Sequence, residues 1–147
     1  MKITICKDAL EQIEARKFKV RTGIYFQLRG AKLPATDPFI LKEVAKDCEF
    51  CYGCALGSLF LSTILKEEGK LTNNLPYEID LREKLSNYFS KNEMDLIEDF
   101  FEGFGCTIGY RDRIEDFYNS HPDDTERLKI ILQNIIDNGH FTPEKLP

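Results

Sequence analysis

Three cysteines lie close together in the segment Cys48-Glu-Phe-Cys-Tyr-Gly-Cys54, and thiolates at such spacing are typical ligands of zinc or iron. A complete site needs four ligands. The candidate set is Cys48, Cys51 and Cys54 with either Cys106 or Cys6. The chain has no second pair of cysteines at ligand spacing, and free cysteines are common in apolar cores. We therefore predict that the cysteines are core residues and that the protein holds no structural metal and no cofactor.

A cysteine nucleophile needs a base, and the chain has only two histidines, His121 and His140. His121 precedes Pro122, and His140 follows a glycine that ends a helix pattern, so both fit helix ends. Neither has a nucleophile or an acid at motif spacing, and the sequence contains no P-loop and no dinucleotide fingerprint. The sequence thus predicts no catalytic residue and favours a protein without enzymatic activity.

Two groups of arginine and tyrosine have the chemistry to bind a small nucleotide, because guanidinium groups bind phosphates and rings stack on bases. One group is Arg21, Tyr25 and Arg29, and the other is Tyr110, Arg111 and Arg113. The same side chains fit a protein interface, where Tyr and Arg are enriched, and they fit surface ion pairs. Protein contact is therefore the first hypothesis, and nucleotide capture by these residues is the second.

A third cluster is acidic. Its members are Glu93, Asp95, Glu98, Asp99 and Glu102. Asp95, Glu98 and Glu102 share one face of a helix at spacings of three and four residues. A divalent cation could bind there, but no EF-hand loop with its central glycine is present, so a solvated helix face is the preferred interpretation.

The composition limits the partners. The chain has 147 residues, enough for one domain with its own core, and a formal net charge of −5. That charge disfavours nucleic acid, whose binding depends on Lys and Arg neutralising phosphates. Charges interrupt the first 14 residues, which lack the apolar core of a signal peptide, so we expect a cytoplasmic protein with reduced thiols.

The segment Phe50–Leu65 contains no charged residue, and it is the one that must position the others. Read as a helix, it is apolar nearly all round, which is typical of a buried helix and too short for a membrane span. We predict a single all-α domain over residues 1–147, with about six helices around this central one. The helices at Glu93–Phe104 and Thr125–Asn138 are expected to pack against it.

Local patterns predict the remaining elements. The sequence predicts a short strand at Ile3–Cys6, a helix from Asp8 to near Lys17, an extended segment at Phe18–Leu28 and a helix that starts at Asp37. Capping boxes predict two further helix starts, at Asp80 with Glu83 and at Ser90 with Glu93. The last helix repeats apolar residues at helical spacing: Leu128, Ile131, Leu132, Ile135 and Ile136.

Two segments carry a resemblance. Cys54-Ala-Leu-Gly-Ser-Leu-Phe60 and Arg127-Leu-Lys-Ile-Ile-Leu-Gln-Asn-Ile-Ile-Asp-Asn-Gly-His-Phe141 resemble small uncharacterised proteins of bacteria and their phages. Ser58 departs from that pattern, which has alanine there. The resemblance implies a phage or prophage context and carries over no activity.

Taken together, these features predict a small binding protein that acts by contact with a protein partner. The alternatives are a protein that sequesters a small nucleotide and a cysteine-ligated zinc or iron–sulfur protein. A homo-oligomer is compatible with the sequence, and a membrane partner is not expected.

Overall fold

The computed structural model describes residues 1–23, 26–29, 39–40, 50–66, 70–71, 78–105 and 107–147. Over these residues the protein is mainly α-helical, as predicted. The α-helices are α1 Lys2–Glu14, α2 Ala55–Lys66, α3 Glu78–Leu85, α4 Lys91–Glu102, α5 Arg111–Ser120 and α6 Asp124–Asn138. The strands are β1 Phe18–Val20, β2 Phe26–Arg29, β3 Phe39–Ile40, β4 Phe50–Gly53 and β5 Lys70–Leu71, and a short 3₁₀ helix follows at Pro143–Lys145. None of the described helices has the length and apolar character needed to cross a membrane.

The central helix is α2. Every residue from Ala55 to Ile64 is buried, which confirms the prediction of a helix buried on all sides for this part of the segment. It packs against α1, α3 and α4. The expected contact with the helix at Glu93–Phe104 is therefore present, whereas α6 packs mainly on α1 and α4.

The first residues of the predicted central helix form a strand instead, so the predicted boundary was wrong. Phe50 and Tyr52 alternate with Cys51 and Gly53, which is the two-residue period of a strand. Two neighbouring strands supply backbone partners for β4, and α2 begins only after Cys54. The Gly57 amide donates to the Cys54 sulfur at 3.5 Å, a contact that satisfies one free N–H of the first helical turn.

β4 lies in the middle of a three-stranded sheet, parallel to β1 and antiparallel to β2. The prediction of an extended segment at Phe18–Leu28 is confirmed where the structure describes it, in β1 and β2. β3 pairs with β5. The helix predicted to start at Asp37 is wrong at Phe39–Ile40, which are this strand, and the rest of it lies outside the described residues.

α1 begins at Lys2, so the strand predicted at Ile3–Cys6 and the helix start at Asp8 were both wrong. Ile5, Cys6, Ala9 and Ile13 are buried, which is helical spacing. The helix ends at Glu14 because Arg16 adopts a left-handed conformation with φ 59°, which turns the chain towards β1.

Capping residues mark both ends of α4, whereas the start of α3 differs from its prediction. α3 already begins at Glu78, so Asp80 lies within the helix and the capping box predicted there is wrong. The cap at Ser90 is confirmed, since its hydroxyl accepts a hydrogen bond from the Glu93 amide at 3.1 Å. Gly103 ends α4 with φ 83°, and Phe104, the last residue of the predicted helix, is 75% exposed because the helical period stops before it.

α6 matches its prediction closely. Asp123 caps it by accepting from the Glu126 amide at 2.9 Å, and Gly139 ends it. Leu128, Ile131, Leu132 and Ile135 are buried, while Ile136 lies at the edge of the core.

Candidate functional site

A cleft of about 990 Å³ opens beside α4. One wall is the α4 face that carries the acidic residues, and the other consists of the loop from Phe104 to Tyr110, with contributions from the β1–β2 connection and the start of α2. The described residues that line it are Gly23, Cys54, Asn92, Asp95, Leu96, Glu98, Asp99, Glu102, Phe104, Gly105, Thr107, Ile108 and Tyr110. The acidic helix face that the sequence analysis took for a solvated surface is therefore the wall of a cavity.

Two of the four lining carboxylates are neutralised by arginine. Arg82 of α3 forms ion pairs with Asp95, at 2.8 Å, and with Glu98. Lys91 also contacts Asp95, at 3.0 Å, and these hydrogen bonds and charges hold the pKa of the Asp95 carboxyl below its usual value despite some burial. This pairing leaves the negative charge of the cleft concentrated at its other end.

Asp99 shapes the loop that forms the opposite wall. Its carboxylate accepts hydrogen bonds from the Thr107 amide, at 3.3 Å, and from the Thr107 hydroxyl, at 2.5 Å. It also lies directly over Gly105, where a methyl group would overlap it. A side chain at position 105 would therefore have to displace the Asp99 carboxylate, and the sequence gives no signal of this close approach.

Glu102 is half-buried at the end of α4. Burial raises the pKa of its carboxyl, the charges of Glu98 and Asp124 raise it further, and a hydrogen bond from the Gly23 amide at 3.4 Å acts in the opposite direction. Neither Glu102 nor Asp99 forms an ion pair with another described residue. Their charges are therefore available to a ligand in the cleft.

The rim of the cleft is apolar. Phe104 is 75% exposed and Ile108 is 95% exposed, and these are the most exposed large apolar side chains in the described part of the chain. Tyr110 lies beside them, and its hydroxyl donates to Glu144 at 2.6 Å. That hydrogen bond raises the pKa of Tyr110 and lowers that of Glu144.

The predicted arginine–tyrosine groups are only partly assembled. Arg113 lies 5.9 Å from the Tyr110 ring and 3.5 Å from Glu144, so it belongs to a surface network, whereas Arg111 is exposed without a described partner. Arg21 lies over Tyr52, a residue that the sequence analysis had assigned to the buried helix. Arg29 is on β2, and Tyr25 lies outside the described residues.

The cysteines are described only in part. Cys6 and Cys54 are free and buried, and desolvation raises the pKa of each thiol to about 12. Cys48 and Cys106 lie outside the described residues, and only the backbone of Cys51 is described. Within the described part, no group of three or more His, Cys, Asp or Glu side chains is placed to hold a metal ion.

The histidines contact no cysteine in the described part. His121 ends α5, with its Nδ1 3.0 Å from the Phe117 carbonyl oxygen and its ring 4.7 Å from the Phe117 ring. His140 is exposed. The structure thus gives His121 a contact at a helix end, in agreement with its interpretation as a turn or cap residue.

Comparison with known proteins found no similarity: no family model matches the chain, and neither a curated protein nor a solved structure matches it. The resemblance to bacterial and phage proteins therefore stays a prediction. Function must be inferred from the surfaces of this chain itself.

Proposed function

We propose that the protein is a non-enzymatic binding protein whose cleft receives a basic, amphipathic segment of a partner protein. The observation that carries this proposal is the combination of four carboxylates with the exposed Phe104 and Ile108 around one cavity. Large exposed apolar side chains gathered at a cleft are typical of interaction sites. Among the described residues of the predicted arginine–tyrosine groups, Tyr110 lines this cleft and the arginines do not.

Charge decides the kind of occupant. None of the described lining residues is a lysine or an arginine, and Asp99 and Glu102 lack an ion-pair partner among them. A lysine or arginine of a partner would form charge-assisted hydrogen bonds with these carboxylates. An anionic nucleotide would be repelled, so the nucleotide hypothesis does not apply to this cleft.

Shape favours a peptide segment over a small cation. The lining residues of α4 run from Asn92 to Glu102, which corresponds to about 15 Å of helix. That length accommodates about three turns of a docked helix, with apolar side chains against Phe104 and Ile108. A polyamine would satisfy the carboxylates but would leave this apolar rim exposed.

We also propose that the protein acts in the cytoplasm. Buried free thiols at Cys6 and Cys54 fit a reducing compartment, which supports a cytoplasmic protein. If the phage or prophage context implied by the sequence resemblance holds, the basic segment belongs to a host or phage protein.

The test uses a fluorescent helical peptide of lysine and leucine, with glutamate–leucine and glutamine–leucine peptides of the same pattern as controls. We expect only the lysine peptide to bind in fluorescence anisotropy. Its affinity should fall with salt because exposed charges are screened. Asp99→Asn with Glu102→Gln should weaken binding about tenfold, which corresponds to about 1.4 kcal/mol.

Matched variants separate the cleft from general electrostatics. Glu115→Gln with Asp116→Asn removes two exposed charges from α5 and should leave binding unchanged. Ile108→Ser should weaken it, whereas Ile3→Ser, at an exposed apolar position on α1, should not. Equal binding of all three peptides, or full displacement by spermine, would contradict the proposal.

A further inference from the structure

The outward face of the β1–β4–β2 sheet carries two aromatic rings with a cation near each. The Lys19 ammonium lies 3.8 Å from the centroid of the Phe50 ring, and the Arg21 guanidinium lies 5.8 Å from that of Tyr52. The two rings meet edge to face, with centroids 5.2 Å apart. Both cationic side chains are exposed and both rings are half-buried. Part of each aromatic ring is therefore accessible to solvent next to a positive charge.

The strand register explains this grouping. Lys19 of β1 pairs with Tyr52 of β4, while the neighbouring Phe18 is buried in the core. Because side chains alternate between the two faces of a sheet, Lys19 points away from the core that covers Phe18. On the other side of β4, the strand β2 places the backbone of Arg29 opposite Phe50.

No carboxylate of the described residues neutralises the positive charges on this face. Neither Lys19 nor Arg21 forms an ion pair with a carboxylate in the described part of the chain. The nearby carboxylates bind backbone amides instead: Asp124 accepts from Thr22 at 3.2 Å, and Glu102 accepts from Gly23 at 3.4 Å. Lys19 and Arg21 are therefore available to an anion.

We propose that this sheet face binds a single nucleotide with a di- or triphosphate, a function beyond that of the cleft and on a different surface. A base stacks on an aromatic ring more strongly than an exposed ammonium binds to it, so the base displaces Lys19 from Phe50. Lys19 then contacts phosphate oxygens together with the Arg21 guanidinium, which binds them in a fork.

One nucleotide fits better than a nucleic-acid strand. The rings of Phe50 and Tyr52 are inclined by 87°, so successive bases cannot stack on both of them in one parallel arrangement. The net charge of −5 also opposes a long polyanion, whose binding requires many cationic contacts.

The test is isothermal titration calorimetry of the whole chain with ADP and GDP, and with inorganic pyrophosphate as the probe that lacks a base. We expect at least one nucleotide to bind at least tenfold more tightly than pyrophosphate. Phe50→Leu should reduce nucleotide affinity to that of pyrophosphate. The double variant Lys19→Gln with Arg21→Gln should lower the affinity for the nucleotides and for pyrophosphate. Because both positions are exposed, this variant should fold, and it keeps the test decisive if Phe50→Leu does not fold.

Arg111→Gln is the matched control, since Arg111 is an exposed arginine of the other predicted group. Unchanged nucleotide affinity in this variant supports the sheet face. Loss of binding in Arg111→Gln, equal affinities for pyrophosphate and both nucleotides, or no binding of either nucleotide would each overturn the proposal. Tighter binding of an acidic phosphopeptide than of ADP and GDP would overturn it as well.

Discussion

Arg127 is a fully buried arginine whose hydrogen bonds join three helices. Its Nε donates to the Phe101 carbonyl, one guanidinium nitrogen donates to the His121 carbonyl, each at 2.7 Å, and the other contacts Asp124 at 2.5 Å. Phe101 and His121 lie at the carboxyl ends of α4 and α5, where helix carbonyls lack partners and a cation opposes the dipole. The guanidinium also lies 4.3 Å from the Tyr118 ring centroid. Arg127 therefore caps two helices at once.

Replacing Arg127 should destabilise the protein strongly. Arg127→Ala leaves the buried Phe101 carbonyl and the partly buried His121 carbonyl without this donor, and it should lower the free energy of unfolding by about 3–5 kcal/mol. Arg127→Lys keeps the charge but not the planar fork, so an intermediate loss is expected. Urea unfolding measures both, with Arg111→Ala as the exposed control. Equal unfolding midpoints for Arg127→Ala and the parent would show that the contacts contribute nothing.

At the scale of single residues, the sequence predicts few of the contacts that Arg127 and Asp99 make. Arg127 lies four residues before Ile131 and eight before Ile135, so helical spacing places it on the apolar stripe of α6. The only partner that the sequence indicates for it is Asp124, at a spacing of three. Whether an arginine is buried depends on which carbonyls approach from other helices. The same is true of Asp99, because its contacts with Gly105 and Thr107 arise only once the loop folds back over α4.

Among the elements, α2 carries the largest share of the core, and Phe60 lies in its middle with 1% exposure. Phe60→Asp places an unpaired charge in this core at a cost of several kcal/mol, against a total stability of about 5–15 kcal/mol. We expect it to prevent folding, measured as a loss of helical circular dichroism. Ile3→Asp, at an exposed apolar position on α1, should fold. An intact helical spectrum for soluble Phe60→Asp protein would rule out the central role of α2.

The elements that the sequence predicts correctly are those with local signals. α6 shows an uninterrupted apolar stripe between a capping aspartate and a glycine, and α4 begins at a capping serine. β4 was missed because its conformation depends on pairing with β1 and β2, which lie more than 20 residues away. Its four residues are equally compatible with a buried helix until those partners are known.

Over the described residues, charge is segregated: the cleft beside α4 is acidic, whereas the sheet face that carries Lys19 and Arg21 is basic. Burial raises the pKa of the Glu102 carboxyl. The folded state therefore keeps the proton on this carboxyl to a higher pH than the unfolded chain does. The stability that this difference contributes is present below the unfolded pKa of about 4.3 and is lost as the pH rises through the folded pKa.

Removing this charge should stabilise the protein at neutral pH. Glu102→Gln keeps an oxygen for the Gly23 amide and should raise the melting temperature at pH 7 by about 1–2 °C. The difference from the parent should shrink as the pH falls, because the raised pKa of Glu102 lets the folded state bind this proton more readily than the unfolded chain does. Thermal unfolding at pH 7 and below measures it, with Glu115→Gln as an exposed control. A lower melting temperature for Glu102→Gln at pH 7 would mean that its charge stabilises the fold.

Glu93 joins residues that are far apart in the chain. It pairs with Lys2, 91 residues away, and accepts from the Phe141 amide, 48 residues away. Helix-rich chains usually fold quickly because their contacts are local, but β1 and β4 also pair in parallel across a long connection. Closing these loops costs chain entropy before the contacts form. We therefore expect long-range closure around Glu93 and β4 to limit the folding rate, which should be lower than the helical content alone would indicate.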